Sequence, residues 1–313
     1  MSNRDLDTGL LIIPEELRAI LERLDASVEE RLKLHEGTRR PDLYHYAPAD
    51  AFIGIVETRT LWATDVLHMN DSLELAWGTK LVKEICNKLI DTLSYATIPQ
   101  IYEPAPGRIF AACFTERADS LPQWRGYADD GLGYAVGLIL ENMPRPPRSV
   151  CRLVKIVYDE KLQRELVTQA FVQGGAAVKW IDDQKFDEEH ELDLLRLVKV
   201  RVSSALSRLV SLFKNPAFEY EQEWRYVVEP LFTEDKPAHD GVSFRRSRFG
   251  VTPYFKLVFE PLLPLAEVVL GPRTPEALAE RAVVALLLAN KHLIQRTPRH
   301  AGVHIWRSEA SYR

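Results

Sequence analysis

Apolar residues recur at helical spacing from Leu17 through Ile20, Leu21, Leu24, Val28 and Leu32, which predicts a leading helix over residues 14–33. Pro14 suits the first helical position, and Glu15 and Glu16 lie near the positive end of the helix dipole. The run Gly37 to Pro41 breaks the chain. From Asp42 the texture changes to short apolar runs separated by longer periodic stretches. Leu43–Tyr46, Leu61–Ala63, Ile109–Thr115, Tyr134–Leu140, Cys151–Tyr158, Glu221–Val228, Val242–Arg246 and Tyr254–Phe259 read as strands. Pro48–Glu57, Leu73–Leu93, Leu121–Tyr127, Glu160–Val172 and Glu188–Phe213 read as helices. A strand–helix–strand unit over Glu267–Leu270, Thr274–Ala289 and Val303–Trp306 closes the chain.

No internal repeat, low-complexity tract or Gly/Ser-rich linker divides this pattern. It predicts an N-terminal helical extension over 1–41, then a single α+β domain over 42–313 with a helical insertion at about 160–214. The extension could cap its own domain or bind a partner. Composition narrows the class. Of 313 residues 46% are hydrophobic and 27% charged, which excludes disorder and coiled coil. A net charge of −5 makes general polyanion binding a poor reading, so nucleic-acid contact would need a local basic patch. Phe244-Arg245-Arg246-Ser247-Arg248, with Arg145, Arg148 and Arg152, could form one. Cys86, Cys113 and Cys151 are too few and too scattered for a disulfide framework or a thiolate zinc site. No apolar run is long enough to span a bilayer and no secretory signal opens the chain, so the expectation is a cytoplasmic protein with no membrane contact.

Three blocks could carry chemistry. In Glu221-Gln222-Glu223-Trp224-Arg225, strand alternation would put Glu221, Glu223 and Arg225 on one face. Paired carboxylates beside an arginine shift each other's proton affinity, which is useful in a cleft; the alternative is a solvated edge strand. In the second block, Trp124 and Tyr127 share a helical face and could stack on a base or nicotinamide ring, or simply pack on the sheet. The third comprises Tyr44-His45-Tyr46 with Asn70, Asp71 and Glu74, where Asn70-Asp71 could equally cap the following helix. No metal motif, phosphate loop or nucleophile elbow occurs, so no metal is expected.

Together the blocks Asn70-Asp71-Ser72-Leu73-Glu74, Cys113-Phe114-Thr115 with Trp124 and Tyr127, and Glu221-Gln222-Glu223-Trp224-Arg225 resemble a bacterial family of unknown function. Some of its members occur in phage-defence or abortive-infection settings. Met69 and Thr115 replace the Phe and Ser usual there. The opening Leu43-Tyr44-His45-Tyr46, Ile55 and Leu61-Trp62-Ala63 more distantly resemble ADP-ribosyltransferases. That resemblance implies a mixed, mainly antiparallel split sheet with helical insertions, and NAD as substrate. It implies that His45 and Tyr44 anchor the dinucleotide, that Trp124 and Tyr127 hold nicotinamide, and that Arg225 contacts phosphate or positions Glu221. Glu223 would face the oxocarbenium-like charge and Glu221 the acceptor.

The acceptor would be a protein or nucleic acid, and an antitoxin-like partner protein fits a toxin role. The competing classes are a non-catalytic defence or interaction module and a nuclease using Asp71, Glu74 and Glu223. On the transferase reading, Glu223→Gln abolishes NAD turnover and leaves the melting temperature almost unchanged.

Overall fold

The computed structural model describes residues 11–36, 42–69, 72–89, 109–230, 241–247, 250–294 and 302–311. The chain forms two compact units where the sequence pattern suggests one domain: a helical unit from 1–38, 70–106 and 157–216, and a sheet unit from 39–69, 107–156 and 217–313. The predicted insertion therefore joins the leading helix in a body of its own. Amphipathic stripes explain this, because each long helix has an apolar face that needs another helix to cover it.

In the helical unit, α1 (Glu15–Glu36) buries all six residues of its predicted stripe. It packs on α5 (Glu160–Asp182) and α6 (Glu188–Val210), with α3 (Ser72–Leu89) against both. Helix α5 runs ten residues past its predicted end, straight through Gly174-Gly175. Gly174 acts here as a crossing point: a Cβ on it would sit 2.6 Å from a Val202 methyl of α6.

The sheet unit is mixed α/β around an open, mostly antiparallel sheet. Its strands are β1 (Leu43–Ala47), β2 (Thr60–Asp65), β3 (Phe110–Thr115), β4 (Tyr134–Leu138), β5 (Ser149–Lys155), β6 (Glu223–Pro230), β7 (Val242–Ser247), β8 (Gly250–Val258), β9 (Leu265–Leu270) and β10 (His304–Arg307). The order is β10-β9-β4-β1-β3-β2-β8-β7, with β6 and then β5 extending from β3. Among the described strand pairs, β9–β10 alone is parallel.

One edge of β3 pairs with β6 along its whole length. The other edge is divided: Thr115 meets Tyr44 of β1, while Ala111 and Phe110 meet Thr64 and Asp65 of β2. The sheet thus splits at β3, with β1 and β2 leaving the same edge at different ends. One face is the main core, where Leu43, Phe110, Phe114, Val136, Trp224, Val228, Phe255 and Val268 pack with Phe52 and Val56 of α2 (Ala49–Thr58) and Val283 and Leu287 of α7 (Glu276–Ala289). The other face carries α4 (Leu121–Tyr127).

Two strand starts differ from the pattern. β6 begins at Glu223, because Glu221 closes a 3-10 helix over Pro216–Glu221 and Gln222 adopts a left-handed φ of 45°. β8 begins before Pro253, which lies one position beyond the last β2 pair, Thr64↔Tyr254, so no ladder bond needs its missing N–H.

Candidate functional site

Side chains alternate along a strand, and opposed residues of an antiparallel pair share a face. The pairs Tyr44↔Thr115 and Thr115↔Glu223 therefore align Tyr44, Thr115 and Glu223 in one row, with Tyr46 and Arg225 on the same face. His45, Phe114 and Trp224 point to the other face. Gly137↔Tyr44 and Gly137↔Glu267 extend the row to Glu267 of β9, and His304 pairs with Glu267 from β10.

Gly137 has a steric purpose in this row. A Cβ there would lie 3.0 Å from the Tyr44 ring, so the glycine lets that ring lie across β4 toward Glu267. The Tyr44 phenol donates to Glu267 Oε2 at 3.1 Å and the Trp306 indole N–H donates to the same oxygen at 3.2 Å. His304 Nδ1 is 3.7 Å from Oε1. Burial first, then the neighbouring carboxylate, pushes the Tyr44 phenol well above its ordinary range, so it stays a donor. The Glu267 side chain keeps 30% of its surface exposed.

Tyr46 and Asp119 dock the segment that follows β3. The Tyr46 phenol donates to the Arg117 carbonyl at 2.9 Å and accepts from the Ser120 N–H at 3.1 Å. Its ring meets fully buried Trp124 edge-on, with centroids 4.7 Å apart. Asp119 accepts from the Trp124 indole and the Ser308 hydroxyl, both at 2.6 Å, and from the Glu309 N–H at 2.8 Å. One carboxylate thus ties α4 to the segment after β10. Asp119→Ala leaves a buried indole N–H without its acceptor, so a loss of about 2 kcal/mol is expected. Thermal unfolding checks the loss, and faster amide exchange over 303–311 checks the coupling.

Glu223 and Arg225 form a buried ion pair, with Arg225 Nε 2.6 Å and Nη2 3.2 Å from the two carboxylate oxygens. Only 6% of Glu223 and 3% of Arg225 is exposed. Loss of Glu223 therefore breaks a buried pair, and Glu223→Gln is expected to lower stability, which corrects the expectation of an unchanged melting temperature. Glu221 is buried too, but it lies off the strand. Its carbonyl accepts from the Thr115 hydroxyl at 2.6 Å, which secures the turn into β6.

The remaining predicted residues separate. His45 faces away from Glu223, with its ring 5.9 Å from that of Phe114 and its Nδ1–H donating to the Cys113 carbonyl at 2.9 Å. Burial lowers its proton affinity, so the ring is neutral at pH 7. Trp124 packs inside while Tyr127 is 40% exposed, so the two do not form one open stacking pair. Asn70 and Asp71 lie outside the described residues, as does the Glu74 side chain. On the His45 face, Trp224 and Lys155 both donate to Glu116, at 2.8 and 2.9 Å. Burial raises that carboxyl, but the two donors outweigh it and hold Glu116 below the usual range.

Glu267, Trp306 and Asp119 were not singled out by sequence reasoning. The available signal was one acid inside the apolar strand Leu265-Ala-Glu-Val-Val-Leu270, since a lone carboxylate there needs partners. Among the described residues, no group of three or more His, Cys, Asp or Glu is placed to hold a metal ion, and no helix is long and apolar enough to cross a membrane.

Fold and site together define a mixed α/β protein with a polar, aromatic-lined sheet face beside a split strand. A family model described as a protein of unknown function (DUF2971) matches residues 123–226, about a third of the chain, from α4 into β6. That segment holds Trp124, Tyr127, Glu221, Glu223 and Arg225. No curated protein and no solved structure matches the chain.

Proposed function

We propose that the Tyr44–Glu223 face binds NAD and that the protein is an ADP-ribosyltransferase-like enzyme, transferring ADP-ribose to a macromolecular acceptor or to water. The observation that carries this reading is the row Glu267–Tyr44–Thr115–Glu223, built from the first strand, the split strand and the E-x-E-W-R strand. Tyr44, one of the two residues the resemblance places on the dinucleotide, shares this face with Glu223, while His45, the other, lies on the opposite face. The division of the β3 edge between β1 and β2 also suits the split sheet of that fold.

In this reading Glu267 accepts a ribose hydroxyl, and Tyr44 and Trp306 supply flat apolar walls. On the resemblance, Glu223 is the carboxylate that faces the developing oxocarbenium ion, which requires it to turn from Arg225 toward the substrate. The bond from ribose C1′ to the nicotinamide nitrogen breaks with its electron pair leaving on nicotinamide. The acceptor oxygen or nitrogen bonds to C1′ and releases its proton. Incubation of the full chain with NAD should release nicotinamide, and Tyr44→Phe and Glu267→Gln should each slow that release about tenfold or more while the protein stays folded. Absence of release from the wild-type chain would overturn the proposal.

One observation favours a second reading, a non-catalytic interaction module. The buried Glu223–Arg225 pair, almost without solvent access, is what a fold-holding polar element looks like. Under that reading NAD neither binds nor turns over. A role in phage defence or toxin action, with an antitoxin-like partner, draws on the motif resemblance alone.

A further inference from the structure

The far end of the sheet carries an aromatic and cationic surface that the NAD site does not use. Trp62 on β2 is 46% exposed. Tyr254, two residues along on neighbouring β8, packs on it with centroids 4.6 Å apart, and the Arg245 guanidinium from β7 lies 5.3 Å from its centroid. Arg245 also donates to Thr64 at 3.2 Å, so both neighbours approach from the Thr64 end of the strand. Lys256 is paired directly across from Trp62 and is exposed, as is Arg246 one residue along from Arg245. The register puts Trp62, Tyr254, Lys256 and Arg245 on one face. Beside them, a recess of about 640 Å³ at the β7–β8 end is lined by Arg245, Arg246 and the exposed Phe244 and Val251.

Charge makes this surface unusual for the chain. The whole protein is acidic at −5, yet neither β7 nor β8 contains a single Asp or Glu, while together they carry Arg245, Arg246 and Lys256. The one acid of β2, Asp65, is 1% exposed, and its carboxylate accepts the Leu67 N–H. The Arg245 Nε is buried without a hydrogen-bond partner among the described residues, and burial lowers the proton affinity of its guanidinium. An exposed indole with a guanidinium stacked on it and a lysine directly across from it suits a base and its neighbouring phosphate.

From this juxtaposition we infer that the β2–β8–β7 face binds single-stranded nucleic acid, with a base against Trp62 and the phosphate backbone along Arg245 and Lys256; Arg246, paired with Val251, alternates to the opposite face. Every base has a flat face for an indole, and cations spaced along strands follow a sugar–phosphate chain without selecting a sequence. A duplex hides its base faces and is excluded. Of the rest of the expected basic patch, Arg248 lies outside the described residues and Arg152 is far from this face. Arg152 pairs with Glu229 at 3.1 Å, and its strand β5 is separated from β7 by four strands in the sheet order. The inference stands whether or not the protein turns over NAD.

The test is fluorescence anisotropy of the full chain with labelled 12-mer single strands, one RNA and one DNA, and with a 12-base-pair duplex. Binding of at least one single strand, weakened roughly sevenfold between 50 and 200 mM salt, is expected for about two phosphate contacts. Trp62→Ala should weaken it about tenfold or more. Lys256→Glu, at an exposed position on the same face, should weaken it about tenfold or more without a change in melting temperature, whereas Arg246→Glu on the opposite face should leave it within about twofold. Absence of single-strand binding at 50 mM salt, preference for the duplex, or unchanged affinity in Trp62→Ala would each overturn the inference.

Discussion

Arg225→Met is expected to destabilise the sheet unit by about 3–5 kcal/mol, the cost of breaking a buried ion pair by removing one partner. Glu223 stays in place on β6, 6% exposed, and loses the two guanidinium donors of Arg225. For a unit of this size the change amounts to a fall of roughly 10 °C in melting temperature. Adding Glu223→Gln to Arg225→Met removes the remaining charge of the pair and should recover part of the loss. A single variant within about 1 kcal/mol of wild type would mean that the pair is not buried as described.

Gly271→Ala should be similarly severe for a steric reason. A Cβ at Gly271 would lie 2.4 Å from the Gly131 carbonyl oxygen and 2.8 Å from that of Gly133. Both contacts are with backbone, which cannot rotate away as a side-chain end can. The same two carbonyls accept from the Gly271 N–H and the Arg273 N–H, each at 3.0 Å. To fit the methyl group, the end of β9 must separate from the turn that leads into β4, and those bonds lengthen or break. A loss of about 3 kcal/mol or more follows. Because that turn directly follows α4, Trp124 packing should loosen as well, with a red shift in tryptophan emission. Gly126→Ala is the control: nothing lies within 4 Å of its Cβ position, and alanine is the better helix former, so stability should hold or rise by up to about 1 kcal/mol.

Local pattern and long-range pairing account for what was and was not legible in the sequence. The stripe Leu17 to Leu32 named the buried face of α1 residue for residue, because helical period alone determines it. The existence of the strands and the terminal strand–helix–strand unit followed from short apolar runs. The start of β6 did not, since the left-handed Gln222 is a single-residue conformation that no periodicity reports. That error carried into the site, because alternation was counted from Glu221 and joined two acids that the turn separates. The resemblance names His45 and Tyr44 together, whereas the Tyr44↔Thr115↔Glu223 register, a pairing between residues more than 70 positions apart, puts only Tyr44 on the Glu223 face. Glu267 and Trp306 were hidden for the same reason: each is unremarkable in its own strand, and they become partners only where β9 and β10 run parallel beside β4.

The central claim is that NAD occupies the face bearing Tyr44, Glu267 and Trp306. Photolabelling of the full chain with 8-azido-NAD, followed by peptide mapping, tests it most directly. Label in the peptides containing Tyr44 or Trp306, competed away by unmodified NAD and lost in Glu267→Gln, is the predicted result. Label that NAD does not displace, or that falls instead on α5 and α6, would contradict it.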